Sequence, residues 1–287
     1  MFANPCFTYH ACPFSCLIGL DLLAAQLCRY LQKTYTIMEI SALDILLLLT
    51  AGLFGGIINT LAGGGSNLTM PALMVMGLPA DVANATNRLG IFLQSLTAVT
   101  KFHQQDRLPK DDLKGVLIPS IVGGLIGAIG AAWAPVWLLK PLLLGTMLTV
   151  AGIMLFWPSA IPDENSQAYK VSERRSGFWG LLLAGIYGGF VQAGVGFILL
   201  TVLASSLRYD LVRANALKLL CSLGFTAIAL LVFISQGLVN WHYGLILSVG
   251  FIAGAFFGVK LAIKASAKTM KRAVFLLTLF ACIAAYF

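Results

Sequence analysis

Ala51-Gly52-Leu53-Phe54-Gly55-Gly56-Ile57-Ile58-Asn59-Thr60-Leu61-Ala62-Gly63-Gly64-Gly65-Ser66-Asn67 is apolar enough to enter a bilayer, yet three consecutive glycines interrupt it. Each glycine inside a helix costs about 1 kcal/mol relative to alanine. Backbone that leaves the helix at membrane depth survives only where protein or a water-filled cavity satisfies its amides. Gly63, Gly64 and Gly65 are therefore expected to break the helix beside a cavity, with the short segment Asn67 to Met76 starting anew beyond them. The bare amides and the positive end of that short helix would attract an anion. Ser66 and Asn67 are natural N-caps there, or else ligand donors, and Pro71 suits a first turn. The alternative is that these glycines only let helices approach closely, as small-residue motifs do. Gly52, Gly55 and Gly56, spaced like a packing face, fit that alternative better.

The same pattern returns further along. Ala184-Gly185-Ile186-Tyr187-Gly188-Gly189 matches the stretch from Ala51 to Gly56. Gln192 follows where Asn59 does, and Gly194 and Gly196 follow where the glycine run does. Ala83-Asn84-Ala85 then matches Ala214-Asn215-Ala216, with a cation close behind each, Arg88 and Lys218. Two matched blocks in one order imply a duplication, with a first repeat over 38–157 and a second over 176–287.

Composition agrees with a membrane location. Hydrophobic residues make up 59% of the 287 and charged residues 10%, against about a quarter charged in soluble domains. No charge interrupts 45–80, 115–139, 176–207 or 219–259, and about 20 such residues suffice for a spanning helix. Segments are expected at 44–61, 67–76, 83–101, 113–133 and 136–157. Others are expected at 176–193, 197–207, 212–235, 243–261 and 269–286. The stretches 67–76 and 197–207 are too short to cross. The fold expected is all-α and polytopic: two repeats, each a glycine-broken helical hairpin plus three transmembrane helices. Lysine and arginine crowd Lys101 to Lys114, the linker 158–175 and Lys260 to Arg272. Placing those inside makes the linker cytoplasmic and gives the repeats opposite orientations. The same distribution explains the net charge of +8 without nucleic acid.

Residues 1–37 differ from the rest. They hold four of the six cysteines, and Asp21 interrupts their apolar stretch. Met38 reads as the natural start, which makes 1–37 a non-native or peripheral N-terminal extension, with a peripheral amphipathic helix as the alternative. The cysteine spacings match no zinc pattern.

The residues that could carry chemistry cluster around the breaks. Asn84 and Arg88 share one helix face, and so do Asn215 and Lys218. A cation buried in a membrane is costly and marks a pathway or a pair. The alternative is snorkelling, since each lies near its helix start. Thr86 and Asn87 add a hydroxyl and an amide. No carboxylate lies deep in an apolar segment, and His103 and His242 lie in loops. A buried proton relay, a metal site or a metal-cation permease is thus disfavoured. Ser66 has no general base within an apolar segment, so an intramembrane hydrolase is disfavoured as well. Catalytic residues, metal ligands and cofactors are accordingly expected to be none.

Gly-x-x-Gly-Gly, a glycine run, Pro71-Ala72-Leu73 and the element from Ala83 to Arg88, repeated in 185–196 and 214–218, resemble the TauE/SafE sulfite exporter family of permeases. The resemblance runs from about Met38 to Phe287. It implies a multi-pass permease of the bacterial inner membrane, for sulfite, organosulfonates or other small organic acids. The second half departs from the pattern: its glycine run shrinks to Gly194-Val195-Gly196, no proline stands opposite Pro71, and Leu217 replaces a hydroxyl residue. The expected partners are a small anion and the lipid bilayer, with a homodimer as an option. The substrate-binding set expected is Asn59, Gly63, Gly64, Gly65, Ser66, Asn84, Thr86, Asn87, Arg88, Gln192, Gly194, Gly196, Asn215 and Lys218. The competing function is a non-transporting membrane assembly or scaffold protein.

Overall fold

The computed structural model describes residues 41–156 and 168–262, and among them every regular element is a helix. α1 (Ala42–Ala62) leads to short α2 (Ser66–Val75), then α3 (Ala80–Gln104), α4 (Leu113–Trp133) and α5 (Val136–Phe156). A single 3-10 turn (Val171–Glu173) precedes α6 (Arg175–Phe190), short α7 (Val195–Thr201), α8 (Leu211–Ser235) and α9 (Trp241–Ala262). The segment expected at 269–286 and the extension 1–37 lie outside the described residues, as do residue 157 of the first repeat and 158–167 of the linker.

α1, α4, α8 and α9 are each long and apolar enough to cross a bilayer. α3, at 25 residues, is about 37 Å long at 1.5 Å per residue, yet it is too polar to face lipid. Asn84, Thr86, Asn87, Arg88, Gln94 and Ser95 are all buried along it. Such a helix is stable only when neighbours shield it and supply partners, and α8, α9 and α2 do so.

Both short helices double back. A Cβ on Gly55 of α1 would meet the Thr69 side chain of α2 and the Gly65 carbonyl. Gly188, Gly180 and Gly177 of α6 face Val195, Val202 and Leu207 in turn, so the chain after the second break returns antiparallel along α6. The return is continuous because α7 passes into a wider π-type turn at Val202–Ser206.

The first helix of each hairpin packs through glycines on a helix from across the linker. Gly52 and Gly56 of α1 lie against Gly250 and Gly254 of α9, so closely that a Cβ on any of them would strike backbone. Gly185 and Gly189 of α6 lie likewise against Ser120, Gly124 and Ala128 of α4. Without hydrophobic drive inside lipid, such close backbone contact is what holds helices together. Contacts advance together along α1 and α9, along α4 and α6, along α4 and α8, and along α3 and α9, so each pair is parallel. Ala85 and Leu89 of α3 join Ala229 and Phe233 of α8, whereas Ala98 and Phe102 join Ala216 and Leu219, so α3 and α8 are antiparallel. α1, α3 and α9 therefore point one way and α4, α6 and α8 the other.

The described end of the linker is docked rather than free. The Val171 amide donates to the Asp112 carboxylate (2.6 Å), the Tyr169 amide to the Leu207 carbonyl (2.9 Å), and the Val171 side chain is buried. α8 then starts on Asp210, whose carboxylate accepts from the amides of Val212 and Arg213, a side-chain N-cap.

Candidate functional site

The first break forms at Gly63, at φ +81°, a conformation that only glycine adopts without cost. Its amide turns back to the carbonyls of Ile58 and Asn59 (3.2 and 2.9 Å) and closes α1. α2 begins at Ser66 with Gly65 as its N-cap and no side-chain cap bond, so the capping expected of Ser66 and Asn67 is not made. Pro71 stands in the second turn of α2 rather than its first. Proline lacks the N–H that would bond four residues back.

The second break uses two left-handed residues, Gln192 (φ +67°) and Gly194 (φ +73°). The two breaks touch. A Cβ on Gly63 would run into the backbone of Gly196 and Phe197, and one on Gly196 into Gly63. Gly65 packs on the Gly55 carbonyl and Asn59, and Gly64 is buried beside it. The glycines thus serve as both break and close contact, so the two sequence alternatives are not exclusive at Gly63.

Arg88 of α3 reaches the end of α6. Its Nη1 donates to the Gly188 carbonyl and Gln192 Oε1 (both 2.9 Å), and its Nη2 to the carbonyls of Gly189 (2.6 Å) and Phe190 (3.2 Å). The guanidinium also sits 4.9 Å from the Phe233 ring centroid. The last turn of any helix leaves its carbonyls without intrahelical donors, and a cation there also opposes the negative dipole end. Lys218 of α8 does the reciprocal work, its Nζ donating to the carbonyls of Asn59 (2.9 Å) and Thr60 (3.0 Å) in the last turn of α1. Each cation therefore caps the broken helix on the other side of the linker.

Both side chains are sealed from solvent, at 0% and 1% exposure, and both heads bind buried carbonyls, which excludes snorkelling. Among the described residues, no carboxylate forms an ion pair with either. A guanidinium carries five N–H donors and an ammonium three. Arg88 commits four, and its Nε is without a partner. Lys218 commits two, which leaves it one.

The remaining expected residues each have their own partners or orphaned atoms. Asn87 spans the start of α2, accepting from Thr69 Oγ1 (2.6 Å) and donating to Ser66 Oγ (3.0 Å). Asn59 donates to Gln94, whose amide donates to Thr60 Oγ1 (2.8 Å). Thr86 accepts from the Asn240 amide (3.0 Å) and fixes the loop before α9 rather than facing the breaks. Asn84 donates to the Phe190 carbonyl (2.9 Å), the same oxygen that Arg88 reaches. Its own Oδ1 is buried without a partner, as is that of its counterpart Asn215. Gln192 also accepts from Thr226 (3.2 Å).

Gln94, Thr60, Thr69, Thr226 and Phe233 escaped the sequence reading although they orient the expected set. Gln94 was visible in principle, as a buried-type amide six residues beyond Arg88 in an otherwise apolar run. Among the described residues, no cluster of three or more His, Cys, Asp or Glu side chains could hold a metal ion.

Known proteins are similar to this chain over most of its length. A "Probable membrane transporter protein" of Haemophilus influenzae is 26% identical over 238 residues, covering 82% of this chain and 91% of that protein. YfcA of Escherichia coli K12, also named a probable membrane transporter protein, is 27% identical over 240 residues, covering 82% and 87%. The ORF9 protein of a Sinorhizobium species, named in the same words, is 25% identical over 224 residues, covering 78% and 85%. The family model described as Sulfite exporter TauE/SafE matches residues 48–285, a span that contains both glycine breaks and both buried cations. On that match the chain belongs to the TauE/SafE sulfite exporter family.

Proposed function

We propose that this protein is a multi-pass transporter of a small anion in a bacterial inner membrane, built as two inverted repeats over 38–157 and 176–287. The names of its relatives and of its family support the transport reading. The opposed helix directions and the reciprocal caps support the inverted plan, which is common among secondary transporters. The proposed substrate is a sulfur oxyanion, an organosulfonate or a small organic acid.

One observation carries the proposal: two basic side chains are buried at the meeting helix breaks with no carboxylate among the described residues in salt-bridge contact with either. A buried charge that lacks a counter-charge is costly, and an anion would supply one. The substrate is proposed to be held by Arg88, Lys218, Asn84 and Asn215, with the amides of Gly64 to Ser66 and those of Gly194 and Gly196 lining its path, Asn59, Asn87 and Gln192 holding the walls, and Thr86 acting only through the loop before α9.

Magnitudes decide which cation yields. An anion 4 Å from a cation gains about 4 kcal/mol at an effective dielectric of 20. A hydrogen bond to a charged group contributes about 1.5–3 kcal/mol. Arg88 makes four such bonds and Lys218 two, so an arriving anion competes with the Lys218 caps and not with those of Arg88. Arg88 is thus the fixed anchor, and Lys218 is the arm that exchanges carbonyls for substrate. Release of Lys218 uncaps α1 and loosens the Gly63–Gly196 contact, which would let the path open.

Purified protein in liposomes, offered sulfite, sulfate, sulfoacetate and acetate, should carry at least one of them. Arg88→Met and Lys218→Met should each abolish that flux while the protein still inserts and purifies as a single species. Flux equal to the unmodified protein in Arg88→Met would discard the assignment.

A further inference from the structure

Asn84 and Arg88 leave a matched pair of groups beside one carbonyl. Both donate to the Phe190 oxygen, Asn84 Nδ2 at 2.9 Å and Arg88 Nη2 at 3.2 Å, so the two side chains meet there. Once those bonds are made, Asn84 retains an acceptor, Oδ1, and Arg88 a donor, Nε, and both are buried without a partner. The amide cannot be turned to hide the mismatch, because its nitrogen must face the Phe190 oxygen. Side chains this buried, 1% and 0% exposed, seldom leave such atoms unmatched, and each exception calls for a reason.

We infer that Asn84 and Arg88 form a subsite for an oxyanion that brings its own hydrogen-bond donor, such as a hydroxy acid, a hydroxysulfonate or a partly protonated oxyanion. The anionic oxygen accepts from Arg88 Nε–H, and an O–H on the same molecule donates to Asn84 Oδ1. A fully deprotonated or purely alkyl anion satisfies only the first of these and leaves the Asn84 oxygen stranded. Sites built to hydrogen-bond a substrate hydroxyl reject the analogue that lacks it, because the buried partner is then unmatched. The second repeat lacks this pair: Asn215 retains its acceptor, but Leu219 stands four residues on where Arg88 stands after Asn84. Asn84 therefore sets selectivity on one side of the Gly63–Gly196 contact. The inference rests on the anion-transport reading and deepens it.

Two pairs of probes of equal charge and nearly equal size test it in liposomes: glycolate against propionate, and 2-hydroxyethanesulfonate against propane-1-sulfonate. The hydroxyl-bearing member should inhibit flux of the transported anion at about tenfold lower concentration, the size of one buried hydrogen bond. Asn84→Leu should bring that ratio close to one, chiefly by weakening the hydroxyl-bearing member. Equal potency within both pairs in the unmodified protein would overturn the inference, and that comparison needs no variant to fold. A tenfold ratio that persists in Asn84→Leu would overturn the assignment to Asn84. If none of the four probes competes and no anion of the wider panel is carried, the transport reading itself falls, a result distinct from transport without selectivity.

Discussion

The two capped helix ends look alike in sequence and differ in how tightly they are held. At the end of α6, one planar guanidinium reaches three carbonyls and Gln192, lies against Phe233 and is joined by the Asn84 amide. At the end of α1, a flexible ammonium reaches two carbonyls, and Asn215 contributes no bond. Arginine's rigid fork suits several fixed acceptors at once, whereas lysine is a point charge on a flexible stem. On the proposed duplication, the two copies have diverged into a rigid half and a yielding half. An alternating-access cycle has use for both, since one end must hold its shape while the other lets go.

The largest effect should come from the contact that joins the halves. Gly63→Ala places a methyl group into the Gly196 backbone at a φ of +81°, so strain and overpacking add to about 3–5 kcal/mol. Gly194→Ala strains the second break through its φ of +73° and should cost about 1–2 kcal/mol. Thermal unfolding in detergent should rank Gly63→Ala well below Gly194→Ala, with flux lost in the former. Equal stability of the two would mean that the breaks do not bear on each other. Next in size, Arg88→Lys offers three donors where four are used, so at least one charge-assisted bond is lost, at about 1.5–3 kcal/mol. Lys218→Met removes the donor to the Thr60 carbonyl and one of the two donors to the Asn59 carbonyl, and should destabilise by a similar amount, yet its flux should fall further than its stability. If Lys218→Met unfolds the protein more readily than Arg88→Met, the division into anchor and arm is reversed.

How much of this was readable beforehand depends on the kind of contact. The breaks were legible in the sequence, because a glycine run in an apolar stretch costs helix stability and a similar pattern returns at 184–196. Helix ends were less so. The apolar segment 83–101 marks only the middle of α3, which runs from Ala80 to Gln104 and keeps Asp81 in its first turn and Lys101 in its last. An acid at the start and a base at the end favour a helix through its dipole, so those charges lie inside it. The partners of Arg88 and Lys218 were not readable at all. Apart from Gln192 they are backbone carbonyls 100 or more residues away, and a carbonyl carries no side-chain signature. The same holds for Gly63 against Gly196, where the contact consists of two absent side chains.

The smallest effects should separate the polar walls of the two ends. Gln94→Leu removes the acceptor of the buried Asn59 amide and the donor to Thr60 Oγ1. An orphaned buried amide costs about 1–3 kcal/mol, and the first break should lose stability by that amount. Thr226→Val is nearly isosteric and removes one bond to Gln192 Oε1, an oxygen that still accepts from Arg88. Because the acceptor keeps a charged donor, the loss should stay near 0.5–1 kcal/mol, a shift of a few degrees in unfolding temperature with flux close to that of the unmodified protein. A drop in Thr226→Val as large as in Gln94→Leu would show that Arg88 alone does not hold Gln192 in its left-handed conformation. The α6 end would then lean on its side-chain wall as the α1 end does, and the rigid half would owe less to its guanidinium than the bond geometry implies.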